Sequence, residues 1–252
     1  MSGDVRHEVR GEAVRLLAER ALYWPRAGAL VVADPHFGKA AAFRAGGIPI
    51  PAGTTAAMLA RLDAALDRSG AARLIVLGDL LHARAGRAPR TLATVAAWRA
   101  ARPNLSITLI RGNHDARAGD PPADWRVECL DAPVEEPPFA WLHEPPAFDE
   151  RQAASDESGR NDEPQATSDE LRTSDRPTRR SSFVTRHYPV AGHIHPAVTL
   201  SGGGRVFSLP CFYFGRDYAL LPAFGDFTGT AIVRPRSGER VFIVAEGQVI
   251  PK

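Results

Sequence analysis

Five short segments of this chain bring together carboxylate, imidazole and amide side chains, the groups that bind hard or borderline divalent metals. In chain order they are Asp34-Pro35-His36, Gly78-Asp79, Gly112-Asn113-His114-Asp115, His143 and Gly192-His193-Ile194-His195. Two metal ions that share one carboxylate need about seven protein ligands. The segments supply such a set, and the candidate ligands are Asp34, His36, Asp79, Asn113, His143, His193 and His195.

Each segment taken alone has an ordinary structural explanation. The triplet that begins at Asp34 suits an exposed polar turn, Gly78-Asp79 suits a turn or a helix cap, and a single histidine such as His143 often serves the core or the surface. Their conjunction carries the argument, because each segment follows a short apolar run. This setting favours a binuclear metal centre at strand ends, where metals activate water for attack on a phosphoester.

Buried strands must position these ligands. Apolar runs that predict such strands lie immediately before the metal-binding segments, at residues 28–33, 73–77, 106–110, 139–142 and 188–191. When strands alternate with helices in a mostly parallel sheet, the functional loops gather at the carboxyl ends of the strands. We therefore expect the candidate ligands to meet at one edge of a sheet.

Helices are predicted between the first strands. Residues 54–69 carry apolar side chains at helical spacing, with Thr54 or Thr55 as a predicted cap and Gly70 as a stop. Residues 91–101 are rich in alanine and predict a second helix. The first half of the chain thus has an alternating α/β pattern.

The second half predicts more β-structure. Residues 198–209 predict a hairpin that turns at Gly202-Gly203-Gly204, and residues 230–244 predict another that turns at Ser237-Gly238. The whole pattern predicts an α/β fold of two stacked mixed β-sheets flanked by α-helices.

Residues 149–182 differ in composition from the rest of the chain. They contain one leucine, no aromatic residue and no β-branched aliphatic residue, so they predict a disordered polar insertion. A docking tail or a flap that contacts substrate is the alternative. Candidate ligands lie on both sides of the insertion, which favours a single domain over residues 1–252.

Composition excludes several classes of protein. The only cysteines are Cys129 and Cys211, so the chain cannot form a disulfide framework or a thiolate zinc cage. It has no apolar run long enough to cross a bilayer, and its first residues are charged throughout, which favours a cytoplasmic protein. The net charge of +2 permits a polyanionic substrate without requiring one.

The ordered segments resemble the calcineurin-like metallophosphoesterase superfamily, whose motifs are D-x-H, G-D, G-N-H-[DE], H and G-H-x-H. The resemblance implies the sandwich fold of that superfamily and two metal sites that share Asp79. One site would use Asp34, His36 and His195 besides Asp79, and the other would use Asn113, His143 and His193. It also implies that His114 protonates the leaving oxygen or stabilises its charge, and that Asp115 orients the His114 imidazole.

Flanking residues resemble the bacterial ligase-associated DNA damage response endonuclease family. They include Phe37-Gly38-Lys39, Gly47-Ile48-Pro49-Ile50-Pro51, Leu81-His82-Ala83-Arg84, Glu144-Pro145 and Leu209-Pro210-Cys211-Phe212. This resemblance implies a DNA endonuclease in DNA repair that uses two divalent ions, Mn2+ first and Fe or Zn as alternatives. It further implies a functional association with an ATP-dependent DNA ligase, an exonuclease and a helicase.

If DNA is the substrate, single-stranded DNA is one candidate. Basic or imidazole side chains near the motifs could hold flanking phosphates, and the candidates are Lys39, Arg44, His82 and Arg84. Each has an ordinary alternative as a solvated surface charge or a supporting hydrogen bond. The run Phe212-Tyr213-Phe214 could stack on bases, but a buried strand is the stronger interpretation.

Two other functions fit the same metal-binding segments. A small-molecule phosphatase or cyclic-nucleotide phosphodiesterase would use the same chemistry in a lidded pocket, whereas a nuclease needs an open basic groove. A non-catalytic scaffold for repair proteins belongs to a different class. The presence of His114 together with every candidate metal ligand favours an enzyme.

Overall fold

The computed structural model describes residues 3–146, 185–202 and 205–252. One mixed sheet takes its seven strands from the first half of the chain, in sequential order across the sheet. Its strands are β1 (Val5–Val9), β2 (Glu12–Leu17), β3 (Ala21–Trp24), β4 (Ala29–Ala33), β5 (Arg73–Leu77), β6 (Ser106–Ile110) and β7 (Val127–Leu130). Strands β1 to β4 pair antiparallel, and β4 to β7 pair parallel.

A second mixed sheet comprises nine strands among the described residues, and β11 and β12 form its longest hairpin. Its strands are β8 (Val134–Glu136), β9 (Phe139–Trp141), β10 (Tyr188–Ala191), β11 (Pro196–Gly202), β12 (Arg205–Phe214), β13 (Ala219–Leu220), β14 (Ala231–Ile232), β15 (Arg240–Ala245) and β16 (Gln248–Pro251). The described helices are α1 (Lys39–Ala45), α2 (Thr54–Ser69), α3 (Pro89–Ala100) and α4 (Asn113–Ala118).

The continuous apolar strand β5 shows why the first sheet is buried on both faces. Leu74 and Val76 pack with α2 and α3 on one face. Ile75 and Leu77 point the other way, into the layer between the two sheets. Side chains alternate across a strand, so a strand covered on both faces must be apolar at every position.

Aromatic side chains fill the layer between the sheets. Trp24 of β3 packs edge to face on Phe139 of β9, with ring centroids 5.0 Å apart, and Trp141 lies 5.9 Å away. All three are buried. The stacked, helix-flanked architecture predicted from the sequence is therefore confirmed.

Helix α2 spans the predicted residues, but its cap differs from the prediction. Gly53 is the N-cap residue, and neither Thr54 nor Thr55 caps the helix, because both already lie inside its first turn. Gly70 ends the helix as predicted, with φ at 68° and its amide donating to Leu66 O. A glycine adopts this left-handed conformation without steric cost.

The predicted hairpin over 198–209 is confirmed by antiparallel pairing from Ala197–Pro210 to Gly202–Arg205. The second predicted hairpin, over 230–244, is wrong. Its two strands do not pair with each other: β14 pairs with β11, and β15 pairs with β12 and β16. The polar insertion predicted at 149–182 lies outside the described residues.

No helix in the described ranges combines the length and the apolar composition that a membrane span requires.

Candidate metal centre

The five metal-binding segments meet at one edge of the sandwich, as their positions after strands predict. Asp34 follows β4, Asp79 follows β5 by one glycine, and Asn113 begins α4 after β6. These strands are parallel, so their carboxyl ends share an edge. His143 follows β9, and His193 and His195 follow β10, which runs parallel to β9.

Asp34 links the two sheets at this edge. Its carboxylate is fully buried, and Oδ2 accepts a hydrogen bond of 2.8 Å from the backbone amide of His193. His195 Nε2 lies 3.7 Å from the same oxygen, and His143 Nδ1 lies 3.6 Å from Oδ1. The Asp34 carboxylate thus faces His143 of the fourth candidate segment and His195 of the fifth.

Asp79 occupies the centre of the cluster. Its Oδ1 lies 3.5 Å from His143 Nε2, while its Oδ2 lies 3.8 Å from His36 Nε2. The backbone amide of His114 also donates to Oδ1 over 3.0 Å. The two carboxylate oxygens therefore face different histidines, an arrangement suited to bridging two cations.

Three groups of side chains among the described residues could hold a metal ion, and one of them, His36 with His82 and His114, has no carboxylate. The other two each contain one of the buried aspartates. Asp34, His36 and His195 place one ligand atom each within 4.8 Å of one another, and so do Asp79, His143 and His193. Asn113 Oδ1 lies 3.0 Å from His143 Nε2, so the amide joins the second group.

Unpaired buried atoms support the fit to metals. Asp34 Oδ1 and His195 Nε2 are inaccessible to solvent and have no hydrogen-bond partner among the described residues. A buried polar atom without a partner costs about 1–3 kcal/mol. Coordination of a cation would satisfy both atoms, and the nitrogen and oxygen donor set suits manganese, iron or zinc.

Backbone carbonyls set the orientation of two of these histidines. His143 Nδ1 lies 3.1 Å from Leu77 O, and His195 Nδ1 lies 2.9 Å from Gly229 O. A carbonyl oxygen only accepts hydrogen bonds, so Nδ1 must carry the proton in both rings. Nε2 is then the nitrogen that could bind a metal, which is the usual arrangement of histidine ligands.

The backbone at the site is unusual. Asp34, His36, Asp79, His193 and His195 all have positive φ, between 47° and 65°. A residue other than glycine held in such a conformation costs about 1–3 kcal/mol, and these conformations cluster at functional sites.

Close packing explains the glycines in two motifs. A Cβ on Gly192 would lie 2.5 Å from Asp34 Oδ2, and a Cβ on Gly112 would overlap the Asp79 carboxylate. Both glycines have negative φ, so absence of a side chain, rather than conformational freedom, is what the site needs.

The calcineurin-like phosphoesterase family matches residues 29–226, a range that includes all five segments with candidate metal ligands. The chain belongs to this family. It is therefore a metal-dependent phosphoesterase, and the resemblance inferred from its motifs is confirmed.

A solved structure extends the comparison. The nuclease MPE of Pseudomonas putida, whose crystal structure is known, is 40% identical in sequence to this phosphoesterase. The two structures align with a TM-score of 0.75. The match covers 99% of this chain and 100% of that chain. No curated protein sequence matches the chain.

Burial lowers the pKa of two histidines at the candidate site. It lowers the pKa of His36, and the neighbouring His195 and His114 add to this effect. Burial also lowers the pKa of His82 to about 4, with a further contribution from Lys39. Metals bind neutral imidazole, so the lowered pKa of His36 favours coordination. Burial also acts to lower the pKa of His195, but the Asp34 carboxylate beside it outweighs burial and raises that pKa.

Two histidines beside the metal-ligand groups form a stacked pair. The rings of His82 and His114 are 5.0 Å apart and inclined by 23°. His114 Nδ1 donates to His82 O over 2.7 Å, because a carbonyl can only accept, and His114 Nε2 lies 4.0 Å from Asp79 Oδ2. His114 is partly exposed, whereas most of the metal-ligand candidates are buried.

The predicted role of Asp115 as the residue that orients His114 is wrong. Its buried carboxylate accepts hydrogen bonds from the backbone amides of Asp79 at 2.7 Å, Gly112 at 2.9 Å and Leu81 at 3.3 Å. The carbonyl of His82 orients His114 instead. Asp115 therefore holds two metal-binding loops together, a role that its neighbours in sequence do not indicate.

The candidate DNA contacts lie in different surroundings. Lys39, at the start of α1, lowers the pKa of both His36 and His82 through its charge, so it lies near the site. Arg44 is exposed and donates to Ile50 O and Pro51 O. Arg84 is exposed and donates to Arg117 O at the end of α4.

Proposed function

We propose that this phosphoesterase is a binuclear phosphodiesterase that acts as a DNA endonuclease in DNA repair. The observation that carries the phosphodiester chemistry is the position of Asp79, whose two oxygens face two separate groups of nitrogen and oxygen ligands. The step to DNA is supported by the 40% identity to a nuclease over nearly the whole chain.

In this proposal, one cation is held by Asp34, His36, Asp79 and His195, and the other by Asp79, Asn113, His143 and His193. Manganese is the preferred ion, with iron or zinc as alternatives. When bound, such a pair lowers the pKa of water and neutralises charge on the phosphoryl group. The chain itself keeps the ligands in place through the backbone hydrogen bonds of Asp34 and Asp115.

His114 acts on the leaving group. Its Nδ1 donates to His82 O, which leaves Nε2, 4.0 Å from Asp79 Oδ2, as the nitrogen that a protonated ring presents to the substrate. A proton delivered from Nε2 to the departing sugar oxygen would prevent the build-up of negative charge there. General acid catalysis of this kind contributes about 100- to 10,000-fold to a rate.

We further propose that residues 1–252 form one domain, with 149–182 as a polar insertion. Strands β1 to β3 continue the sheet that carries Asp34, and β15 and β16 continue the sheet that carries His193. These strands lie outside the matched range 29–226, yet they share both sheets with it. Cytoplasmic location and association with a ligase, an exonuclease and a helicase stay predictions.

Incubation of the purified chain with manganese and circular single-stranded DNA tests the proposal. A circle has no ends, so only an endonuclease opens it. Parallel assays use bis-p-nitrophenyl phosphate, a cyclic nucleotide and a phosphomonoester. Cleavage of the circle supports the endonuclease, hydrolysis of only the small substrates supports the small-molecule alternative, and inactivity on all of them with bound metal supports a scaffold.

A further inference from the structure

The hairpin β11–β12 extends beyond the metal-ligand edge. Strand β10 runs parallel to β13, β13 runs antiparallel to β12, and β12 runs antiparallel to β11. Strand β11 therefore continues in the direction of β10, past the edge where His193 and His195 lie. It begins at Pro196, directly after His195.

The outer part of this hairpin exposes apolar side chains on one face. Leu200 and Phe207 are directly opposite each other and are 41% and 49% exposed. Side chains two positions further in, Val198 and Leu209, belong to the same face and pack in the core. Arg205, two residues from Phe207, is also exposed on this face. We call Leu200, Arg205 and Phe207 the hairpin apolar face.

Its distance from the site matches a flanking part of a DNA strand. Leu200 is five residues beyond His195, which corresponds to about 16 Å along an extended strand. One nucleotide of a stacked strand spans about 3.4 Å, so the apolar face lies within roughly five nucleotides of a phosphate held at the candidate metal site.

Charge and chemistry favour a polyanion that carries aromatic rings, such as nucleic acid, over a basic or purely apolar partner. Residues 196–214, which contain the whole hairpin, include Arg205 and no aspartate or glutamate. An aromatic ring beside a cation is the combination that binds bases and phosphates of single strands. The aromatic run considered from the sequence cannot serve, because Phe212, Tyr213 and Phe214 are buried.

We propose that the hairpin apolar face binds unpaired bases of the DNA strand that is cut, with Phe207 stacking on a base and Arg205 holding its phosphate. This inference rests on the proposed nuclease function, since it names how that function recognises its substrate. The ligand is a single strand, or a duplex locally opened, because a paired base presents no free face for stacking.

The test measures cleavage by the full-length chain with manganese on three substrates: an oligothymidylate, an abasic oligomer of the same length, and bis-p-nitrophenyl phosphate. Phe207→Ala should lower kcat/KM on the oligothymidylate about tenfold relative to the small diester, mainly through KM. The abasic oligomer, which offers no base, should be cut equally by the altered and unaltered proteins.

Val206→Ala is the matched control. Val206 neighbours Phe207 but points to the opposite face and is 63% exposed. This variant should change oligothymidylate cleavage by less than about twofold. Phe207→Trp should retain cleavage because it keeps an aromatic ring. Phe207→Leu should behave like Phe207→Ala, because leucine is apolar but has no ring to stack on a base.

Three outcomes overturn the inference. Unchanged oligothymidylate cleavage by Phe207→Ala would remove it while leaving the proposed function intact. An equal loss on the abasic oligomer would show that bases are not the ligand. A dimer of the unaltered protein that Phe207→Ala dissociates in sedimentation would make the face a protein interface. If the unaltered chain hydrolyses only the small diester, the proposed function itself fails, and that result is visible without any variant.

Discussion

The metal-ligand edge and the tip of the β11–β12 hairpin adjoin each other in sequence but differ in how tightly they are held. Asp34, at the edge, is fully buried, and its carboxylate is bonded to the backbone of a segment 159 residues away. Phe207, at the tip, is 49% exposed. The candidate metal ligands therefore belong to interlocked buried groups, whereas the residues to which we assign substrate recognition are exposed.

The difference has an energetic origin. Five strained backbone conformations and three unpaired buried atoms, on Asp34, His36 and His195, persist at the edge because surrounding strands hold them. The hairpin tip has no comparable restraints among the described residues. We expect substitutions at the edge to affect metal binding and folding together, and substitutions at the tip to affect only substrate.

Asp79→Ala should have the largest effect. It removes the carboxylate that faces both ligand groups, so two metal ions should no longer bind and phosphodiester hydrolysis should fall to background. Metal content by mass spectrometry and the rate on bis-p-nitrophenyl phosphate measure this. Glu136→Gln, which alters a carboxylate paired with Arg73, is the control. Retention of two metals by Asp79→Ala would contradict the bridging role.

His114→Ala should separate proton transfer from metal binding. The variant should keep both metals but cleave DNA about 100-fold or more slowly, because the poor sugar leaving group loses its acid. Nitrophenolate leaves without a proton, so the loss on bis-p-nitrophenyl phosphate should be much smaller. His187→Ala, at a surface pair with Glu135, is the matched control. Equal losses on both substrates would rule out the acid role.

Asp115→Asn tests the corrected role of this carboxylate. An amide group cannot accept from three backbone amides as a carboxylate does, so the free energy of unfolding should fall by about 1–3 kcal/mol. Metal affinity should weaken about 10- to 100-fold, as for other residues that support ligands. Thermal unfolding and metal titration measure both. A variant with full stability and the leaving-group pattern of His114→Ala would restore the orienting role.

Lys39→Ala should have the smallest effect, confined to substrate. Its charge lies near His36 and His82, so it is placed to contact one phosphate of the DNA. Its loss should reduce the slope of the logarithm of kcat/KM on DNA against the logarithm of salt concentration by about 1. Arg44→Ala should change it less, because that guanidinium already donates to Ile50 O and Pro51 O. A larger change for Arg44→Ala would reverse the assignment of the phosphate contact.

The sequence was most informative where the pattern is local. The strand 106–110 and the helix Thr54–Ser69 match their predictions because burial on defined faces imposes a repeating apolar pattern. The hairpin predicted over 230–244 is wrong because its two strands pair with different partners, β11 and β12. A turn at Ser237-Gly238 does not specify which strands lie beside it.

Residue types and their order after apolar runs thus determined the metal chemistry of this chain and its family. Only the tertiary structure decided that Asp79 faces two groups of candidate ligands and that the carbonyls of Leu77 and Gly229 orient His143 and His195. It also decided that the Asp115 carboxylate accepts hydrogen bonds from backbone amides. The physical reason is the separation in sequence between the residues that make each contact. Side-chain chemistry is a local property, whereas these contacts join loops that lie up to 66 residues apart in the sequence.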